Sequence, residues 1–416
     1  CVPLYFSSLN LKEILSERAD LIETALRASG HPTHFSPPAR PAGRTRLRVG
    51  ILATAFCRGT ETFHTLPFFE HVDRRRIEVI LFALNSNDNP LEQYCRGRAD
   101  RMIHLTGNMT RQVVRLRAED LDVLVVGSNV TAMTSDVGVL AFHRVARAQM
   151  TLFSSPATSG IRNMDFFLSG KLTERDDAQE HYRERLIRLE GTGFCFSYEA
   201  VPEPAKGRPT RQSFNIPDDA VVFASGANFF KLIPELIDVW ARIMAAVPNS
   251  VLLLYPFGPA WASNYGSMPL REQLSKIFPR DGREKHRLRV MKVLPNRATV
   301  KEVLKLADVY LDSLRHAGGH SLVDPLEVGL PPVTVDGEFL RSRHGAAILR
   351  AIQADDLIAA DEADYIRRAI ELGNDVNLRQ RWREHITREM KAGASFLDSR
   401  AFGAQMTDVY LSLSKV

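Results

Sequence analysis

Cysteine is scarce: four residues in 416, at positions 1, 57, 95 and 195. Their spacing is irregular and no two form a C-x-x-C pair. That argues against a disulfide scaffold or a structural zinc site, and it fits a reducing, cytoplasmic setting. Long apolar runs are also lacking. A membrane span needs roughly 18 consecutive apolar residues, whereas the best run here, Val251-Leu-Leu-Leu-Tyr-Pro-Phe257, has the length of a strand. No basic-then-apolar opening reads as a signal peptide. The chain begins on Cys1 rather than Met, as expected of a fragment or a processed product. Charge of one sign is not in excess, since 54 Lys and Arg against 49 Asp and Glu leave +5. So small a surplus favours anionic small ligands and does not point to nucleic acid. The basic stretch Arg280–Arg289 lacks the interleaved aromatics of a single-strand binder. There is no repeat with a period of about 20–50 residues, and no Walker lysine motif, nucleophile elbow or kinase signature.

What remains is an ordinary globular composition, 44% hydrophobic and 25% charged, in a chain long enough for two domains. Residues 11–29 keep apolar positions at helical spacing and predict one amphipathic helix ending at Gly30. Residues 31–46, with four prolines and three arginines, predict an extended, solvent-facing linker. From Leu47 short apolar runs alternate with polar stretches: Leu47–Ala53, Ile77–Leu84, Leu121–Gly127, Met150–Phe153 and Met164–Leu168. A second Pro/Gly-rich break covers 200–214, after which the pattern restarts with Val221–Ser225, Ser250–Tyr255, Arg289–Leu294, Val309–Asp312 and Pro332–Val335. Helices are predicted over 234–247, 299–307, 321–328 and 341–352, and the chain from 362 onward is largely helical with a break near Gly393. Buried strands alternating with helices mean parallel sheets covered on both faces. The expected organisation is residues 1–46 as helix and linker, 47–200 as one α/β lobe, 201–385 as a second, and 386–416 as a helical tail. The two lobes are expected to be Rossmann-like, doubly wound, and separated by a cleft.

Three segments carry chemistry. In Asp312-Ser-Leu-Arg-His-Ala-Gly-Gly-His-Ser321 a strand ends, a Gly318-Gly319 turn follows, and His320-Ser321 opens a helix. The free N–H groups of such a helix start, with the Ser321 hydroxyl, suit a diphosphate. Asp324, one turn on, suits the hydroxyls of a ribose. The alternative is a plain turn with Ser321 as the helix cap. In the second segment the strand Val221–Ser225 runs into a loop holding Asn228 and Lys231, a cation placed to neutralise a leaving diphosphate. In the third, Ser154, Ser155, Thr158, Ser159 and Gly160 follow a strand and offer small hydrogen-bonding groups to a sugar or phosphate, unless they form only a polar turn. His316 and His320 are four apart, but glycines between them argue against a metal pair.

These segments share their order with one family. Arg48-Val-Gly50, Pro156-Ala-Thr-Ser-Gly160 with Met164-Asp165, and Asn228-Phe-Phe-Lys231 come first. Trp240-Ala-Arg-Ile, Val247-Pro-Asn-Ser-Val251, Leu306-Ala-Asp-Val-Tyr-Leu-Asp312, and Gly319-His-Ser with Gly329-Leu-Pro follow. The chain from about Arg48 to Leu413 resembles the catalytic region of glycosyltransferase family 41, the protein O-GlcNAc transferases, Spindly-type enzymes and bacterial asparagine glucosyltransferases. The resemblance implies a GT-B fold and an inverting, metal-independent glycosyltransferase. Such an enzyme moves a hexose such as GlcNAc from a nucleotide diphosphate donor, a UDP-sugar, to a protein or peptide side chain, with no cofactor.

By the same resemblance Lys231 stabilises the leaving group and Asn228 helps hold the donor. Gly319, His320 and Ser321 meet the diphosphate, and Asp324 meets the ribose. Val293, Leu294 and Pro295 form the loop that reads the base, while Ser154, Thr158, Ser159 and Gly160 face the sugar or acceptor. The family's first-lobe histidine is replaced by Gly59, which leaves His64 and Glu61 as candidates for the catalytic base. Asn296 and Thr299 stand where the animal enzymes carry Lys and His. These departures keep two alternatives open, an inactive binding subunit of the same fold and a transferase acting on a small molecule or glycan.

Overall fold

In the computed structural model residues 2–414 are described apart from 87, 199–202, 256–273, 275–286 and 293. The chain divides into two compact units, Cys1–Pro202 with Ser395–Val416, and Glu203–Ala394.

The first unit is built on strands β1 (Leu47–Ala53), β2 (Ile77–Ala83), β3 (Arg101–His104), β4 (Leu121–Val126), β5 (Ala146–Thr151), β6 (Phe166–Gly170) and β7 (Arg185–Leu189). They form one parallel sheet in the order β3-β2-β1-β4-β5-β6-β7. Strand side chains alternate between faces, and both faces are buried, which is why the runs read as continuously apolar. Val49, Ile51, Val79, Leu81, Val123 and Val125 face one core, shared with Phe402, Met406 and Tyr410 of the C-terminal helix Ser399–Leu413. Leu52, Ile80, Phe82, Leu124 and Val126 face the other, against Ala19, Val113, Leu116 and Leu140.

The N-terminal helix is Lys12–Ala28. It buries Leu15 and Ala19 on this unit rather than standing apart. The stretch expected as a free linker is likewise tied down. Arg40 and Arg44 bind the buried Asp122 at 2.8 Å, and Arg44 also binds Asp120. The arginines that suggested solvent exposure are the groups that pin the segment to the start of β4, the central strand of the sheet.

The second unit contains β8 (Val221–Ser225), β9 (Ser250–Leu254), β10 (Leu288–Val290), β11 (Val309–Leu311), β12 (Pro332–Val335) and β13 (Ile358–Ala359). They lie in the order β10-β9-β8-β11-β12-β13, again parallel. Helices Pro234–Ala246, Arg297–Leu304, His320–Glu327, Leu340–Ala351, Glu362–Asn374 and Val376–Gly393 surround it. The expected boundary at 385/386 falls inside the last of these helices, and the final helix belongs to the first unit.

In both sheets the chain winds outward from a central strand, then returns and winds the other way. The reversals fall between β1 and β4 and between β8 and β11. Loops leaving the carboxyl ends of such a pair diverge and open a crevice, the usual ligand position of doubly wound sheets.

Candidate active site

At the reversal in the second unit β8 and β11 lie side by side, Val309 opposite Phe223 and Tyr310 opposite Ala224. The loop after β8 is closed by Asn228, whose side chain accepts from the Lys231 amide at 3.2 Å and caps the short turn Phe229–Lys231. That turn sends the Lys231 side chain to the neighbouring exit, where Nζ donates to the Ala317 carbonyl at 2.9 Å. Loss of solvent pushes the Lys231 pKa down to about 8, against the opposing pull of Asp312.

The loop after β11 is organised by Asp312, only 1% exposed. One carboxylate oxygen accepts from the Ser313 and Gly318 amides, both at 2.8 Å, and the other accepts from the Thr334 hydroxyl at 2.8 Å. Gly318 is required here, since a Cβ would lie 2.6 Å from Ser321 Oγ and 2.8 Å from Asp312 Oδ1. The helix His320–Glu327 then starts behind Gly319 with no side-chain cap on its first turn. Ser321 is therefore not the cap. It lies inside the first turn and bonds the Tyr310 hydroxyl. An uncapped helix head presents its N–H groups and the positive end of its dipole, the setting that binds phosphate.

Basic groups crowd the same loop. Arg341 on Leu340–Ala351 is nearly fully buried, its guanidinium 4.5 Å above the Phe339 ring, and its carbonyl accepts from the Ala317 amide at 2.8 Å. Burial drives the His316 pKa far down, and the nearby Lys231, His344 and Arg341 add to this.

Asp324 sits one turn into the helix. Burial raises its pKa to about 6, while Arg297 opposes this with Nε 2.5 Å from Oδ1. Arg297 also holds Glu327 at 2.6 Å. Leu294 is half-buried and Pro295 exposed in the loop just before helix Arg297–Leu304. Val293 lies outside the described residues. Asn296 and Thr299, standing where a base-side Lys and His were expected, bond each other and cap that helix.

In the first unit Glu61 and His64 share the short helix Thr60–Thr65. The Glu61 carboxylate spans the β4 exit, accepting from Ser128 Oγ at 3.0 Å and the Asn129 amide at 3.1 Å. His64 is 2% exposed. Its Nδ1 meets the Thr60 carbonyl at 2.9 Å, its ring packs edge-on against Phe153, and it also bonds the Gly127 backbone. Burial lowers its pKa to about 4. His64 is thus a neutral core residue turned to the backbone, whereas Glu61 bonds across the β4 exit.

Ser154 ends β5's exit loop with its hydroxyl buried. Thr158 and Ser159 do not line that exit as expected. Both hydroxyls bond the carboxylate of Glu184, which also takes the Ser159 amide at 2.7 Å. Gly160, at φ +69°, lies against the N-terminal helix, where a Cβ would be 2.4 Å from the Leu15 carbonyl. This segment is spent on internal structure.

Lys231, Asp312 and the loop leading to helix His320–Glu327 thus meet at the β8/β11 reversal. Asp312 and Arg297 are the residues that sequence reasoning passed over. A carboxylate ending a strand shortly before a glycine pair was the available signal for Asp312. Nothing local marked Arg297. Among the described residues no group of three or more His, Cys, Asp or Glu side chains is placed to hold a metal ion, and no helix is long and apolar enough to cross a membrane.

Residues 199–406, half of the chain, match the family described as Glycosyl transferase family 41. A tomato (Solanum lycopersicum) protein named "Probable UDP-N-acetylglucosamine--peptide N-acetylglucosaminyltransferase SPINDLY" is 26% identical over 298 residues, covering 72% of this chain and 30% of its own length. The Arabidopsis thaliana protein of the same description named SEC is 23% identical over 368 residues, 87% of this chain and 36% of its own. The chain thus spans about a third of the length of these relatives. Among solved structures, an O-GlcNAc transferase of Thermobaculum terrenum superposes with a TM-score of 0.79 at 24% identity, covering 99% of this chain and 76% of that one. Anabaena HepE, solved with UDP and glucose, gives 0.56 at 12% identity, over 88% of this chain and all of that one. These likenesses establish the fold, two doubly wound α/β units of the GT-B type.

Proposed function

This chain belongs to glycosyl transferase family 41, and from that premise we propose that it transfers a hexose, GlcNAc foremost, from a UDP-sugar to a Ser or Thr hydroxyl of a protein. The curated relatives, named as UDP-GlcNAc–peptide transferases, support the donor and the acceptor class. The observation that carries the reading is the convergence of Lys231 with the uncapped head of helix His320–Glu327 at the β8/β11 reversal.

In this reading the donor diphosphate lies on the amides of His320 and Ser321, with the Lys231 ammonium beside it. Asn228 fixes the turn that presents Lys231. Asp324, steered by Arg297, takes the ribose, and Leu294 and Pro295 flank the base. The attacking hydroxyl approaches the anomeric carbon from the face opposite UDP, so the configuration inverts. As the new C–O bond forms, the bond to the β-phosphate oxygen breaks and its electron pair leaves with UDP. Lys231 and the helix dipole stabilise that charge, the part a metal ion plays elsewhere. The hydroxyl proton passes to a base assigned to the first unit, where Glu61 is the favoured group.

Lys231→Ala tests the assignment. UDP should raise the melting temperature of the wild type but not of the variant, and transfer from UDP-GlcNAc to a Ser/Thr peptide should fall by roughly 100-fold or more. Near-normal transfer by the variant removes the central claim. The engagement of His64 by backbone favours one second reading, a donor-binding subunit that does not transfer. UDP binding without release of UDP from UDP-GlcNAc would select it.

A further inference from the structure

Both ends of the loop between β11 and helix His320–Glu327 are held by one side chain, that of Asp312. Asp312 accepts from the first and last amides of the segment, Ser313 and Gly318. Its remaining oxygen is anchored on β12 through Thr334. Gly345 on the adjoining helix leaves room for it, since a Cβ there would stand 2.7 Å from Asp312 Oδ2. Within the loop the Ala317 peptide is fixed on both sides, its N–H on the Arg341 carbonyl and its C=O on Lys231 Nζ. The segment includes Arg315 at φ +62°, an uncommon conformation for a non-glycine residue that the surrounding bonds must hold.

The charges repeat the pattern. Lys231, Arg341, His344 and His316 gather here. The acid that acts on Lys231 among them is Asp312. Asp312 itself faces Lys231 and the hydroxyl-bearing rings of Tyr255, Tyr310 and Tyr365. Burial lifts its pKa, while Lys231 and the three hydrogen-bond donors favour the ionised form.

Resting on the donor reading above, we propose that Asp312 is the positioning residue of the diphosphate site: it does not touch the donor, but holds the loop and serves as the counter-charge that keeps Lys231 an ammonium. It acts through Gly318, which leads into the helix head, and through Lys231. Between catalytic cycles it balances the cation cluster that an arriving diphosphate would otherwise have to neutralise alone.

Asp312→Asn tests this, because the amide preserves shape and removes charge. The direct readout is the pH dependence of Lys231 labelling by an amine-specific acylating reagent, followed by mass spectrometry on the full chain without any donor. Removing the opposite charge that acts on Lys231 should lower the labelling midpoint from about 8 by roughly one unit. UDP affinity should fall roughly five-fold at pH 8 and recover toward wild type near pH 6, where Lys231 is charged in both proteins. Loss of shape alone would weaken binding equally at both pH values. An unmoved midpoint in a folded variant overturns the proposal. Should D312N fail to fold, Thr334→Val strips one donor from the carboxylate. It must then move the midpoint the same way by a smaller step, and no movement again overturns the proposal. The failure of the donor reading looks different: the wild type would show no UDP binding, while Lys231 labelling would still decide the role of Asp312.

Discussion

At the scale of single residues, the first unit offers two groups for one role, and their surroundings separate them. A general base must reach the proton it takes. His64 has its ring nitrogens on backbone and its face on Phe153, whereas Glu61 lies across the β4 exit on two donors that orient it. Glu61→Gln should therefore lower kcat by roughly 100-fold with little change in the KM for UDP-GlcNAc. His64→Gln should leave kcat within a few-fold of wild type and act on stability instead. The sign follows from its depressed pKa. Between the unfolded value near 6.5 and the folded value of about 4, the unfolded chain binds the extra proton, so stability drops as pH falls through that window. Melting temperatures measured from pH 7 to pH 4 should decline more steeply for the wild type than for H64Q. If H64Q abolishes turnover at full stability, the assignment reverses. Sequence reasoning could not separate the two candidates. Both lie within four positions of each other, and only the turn Thr60–Thr65 decides which one faces inward.

At the scale of elements, continuous apolar runs were easy to read and mixed ones were not. The central strands β1, β2, β4, β8 and β12 stand where the pattern put them, because burial on both faces keeps most positions apolar. The edge strands β3, Arg-Met-Ile-His, and β7, Arg-Leu-Ile-Arg-Leu, were missed, since edges carry charge and lose the signal. β5 starts four residues earlier than its apolar run, because Gln149 is buried in it and bonds the Val145 and Ala146 amides and the Asn163 carbonyl. The Thr158–Gly160 segment misled for a related reason. Small polar residues after a strand serve a buried carboxylate as readily as a sugar, and Glu184 lies 24 residues or more away in sequence, beyond local inspection. What the segment does instead is testable. Gly160→Ala places a methyl against the Leu15 carbonyl at a positive φ. It should cost about 2 kcal/mol or more and free helix Lys12–Ala28, seen as faster amide exchange over residues 12–28. UDP affinity should be unchanged, because every proposed donor contact lies in Glu203–Ala394. A loss of UDP binding in a folded G160A protein would restore this segment to the donor site.

At the scale of the whole molecule, the order of the chain and the order of the units differ. The last helix leaves the second unit at Ala394 and completes the first. Its Phe402, Met406 and Tyr410 sit in the core behind β1, β2 and β4, and Tyr410 Oη bonds the Phe68 carbonyl at 2.9 Å. Each such side chain contributes roughly 1.5–3 kcal/mol by burial, so the chain's last segment supplies a large share of the first unit's stability. A helical tail was legible in the sequence, but its destination was not, since an amphipathic pattern says that a face is buried and not where. Two units with separate cores should melt as two transitions. A ligand that binds one native unit raises the transition of that unit alone, by an amount set by its concentration over Kd. Calorimetry of the full chain should therefore show UDP moving one transition upward and leaving the other in place. Phe402→Ala should lower the transition that UDP leaves in place by roughly 3–5 kcal/mol of stability and leave the UDP-sensitive one unchanged. A UDP response that follows the Phe402-sensitive transition would put the nucleotide on the wrong unit. It would remove Lys231, Asp312 and the helix head from the donor site together, because all three belong to the unit that Phe402 does not touch.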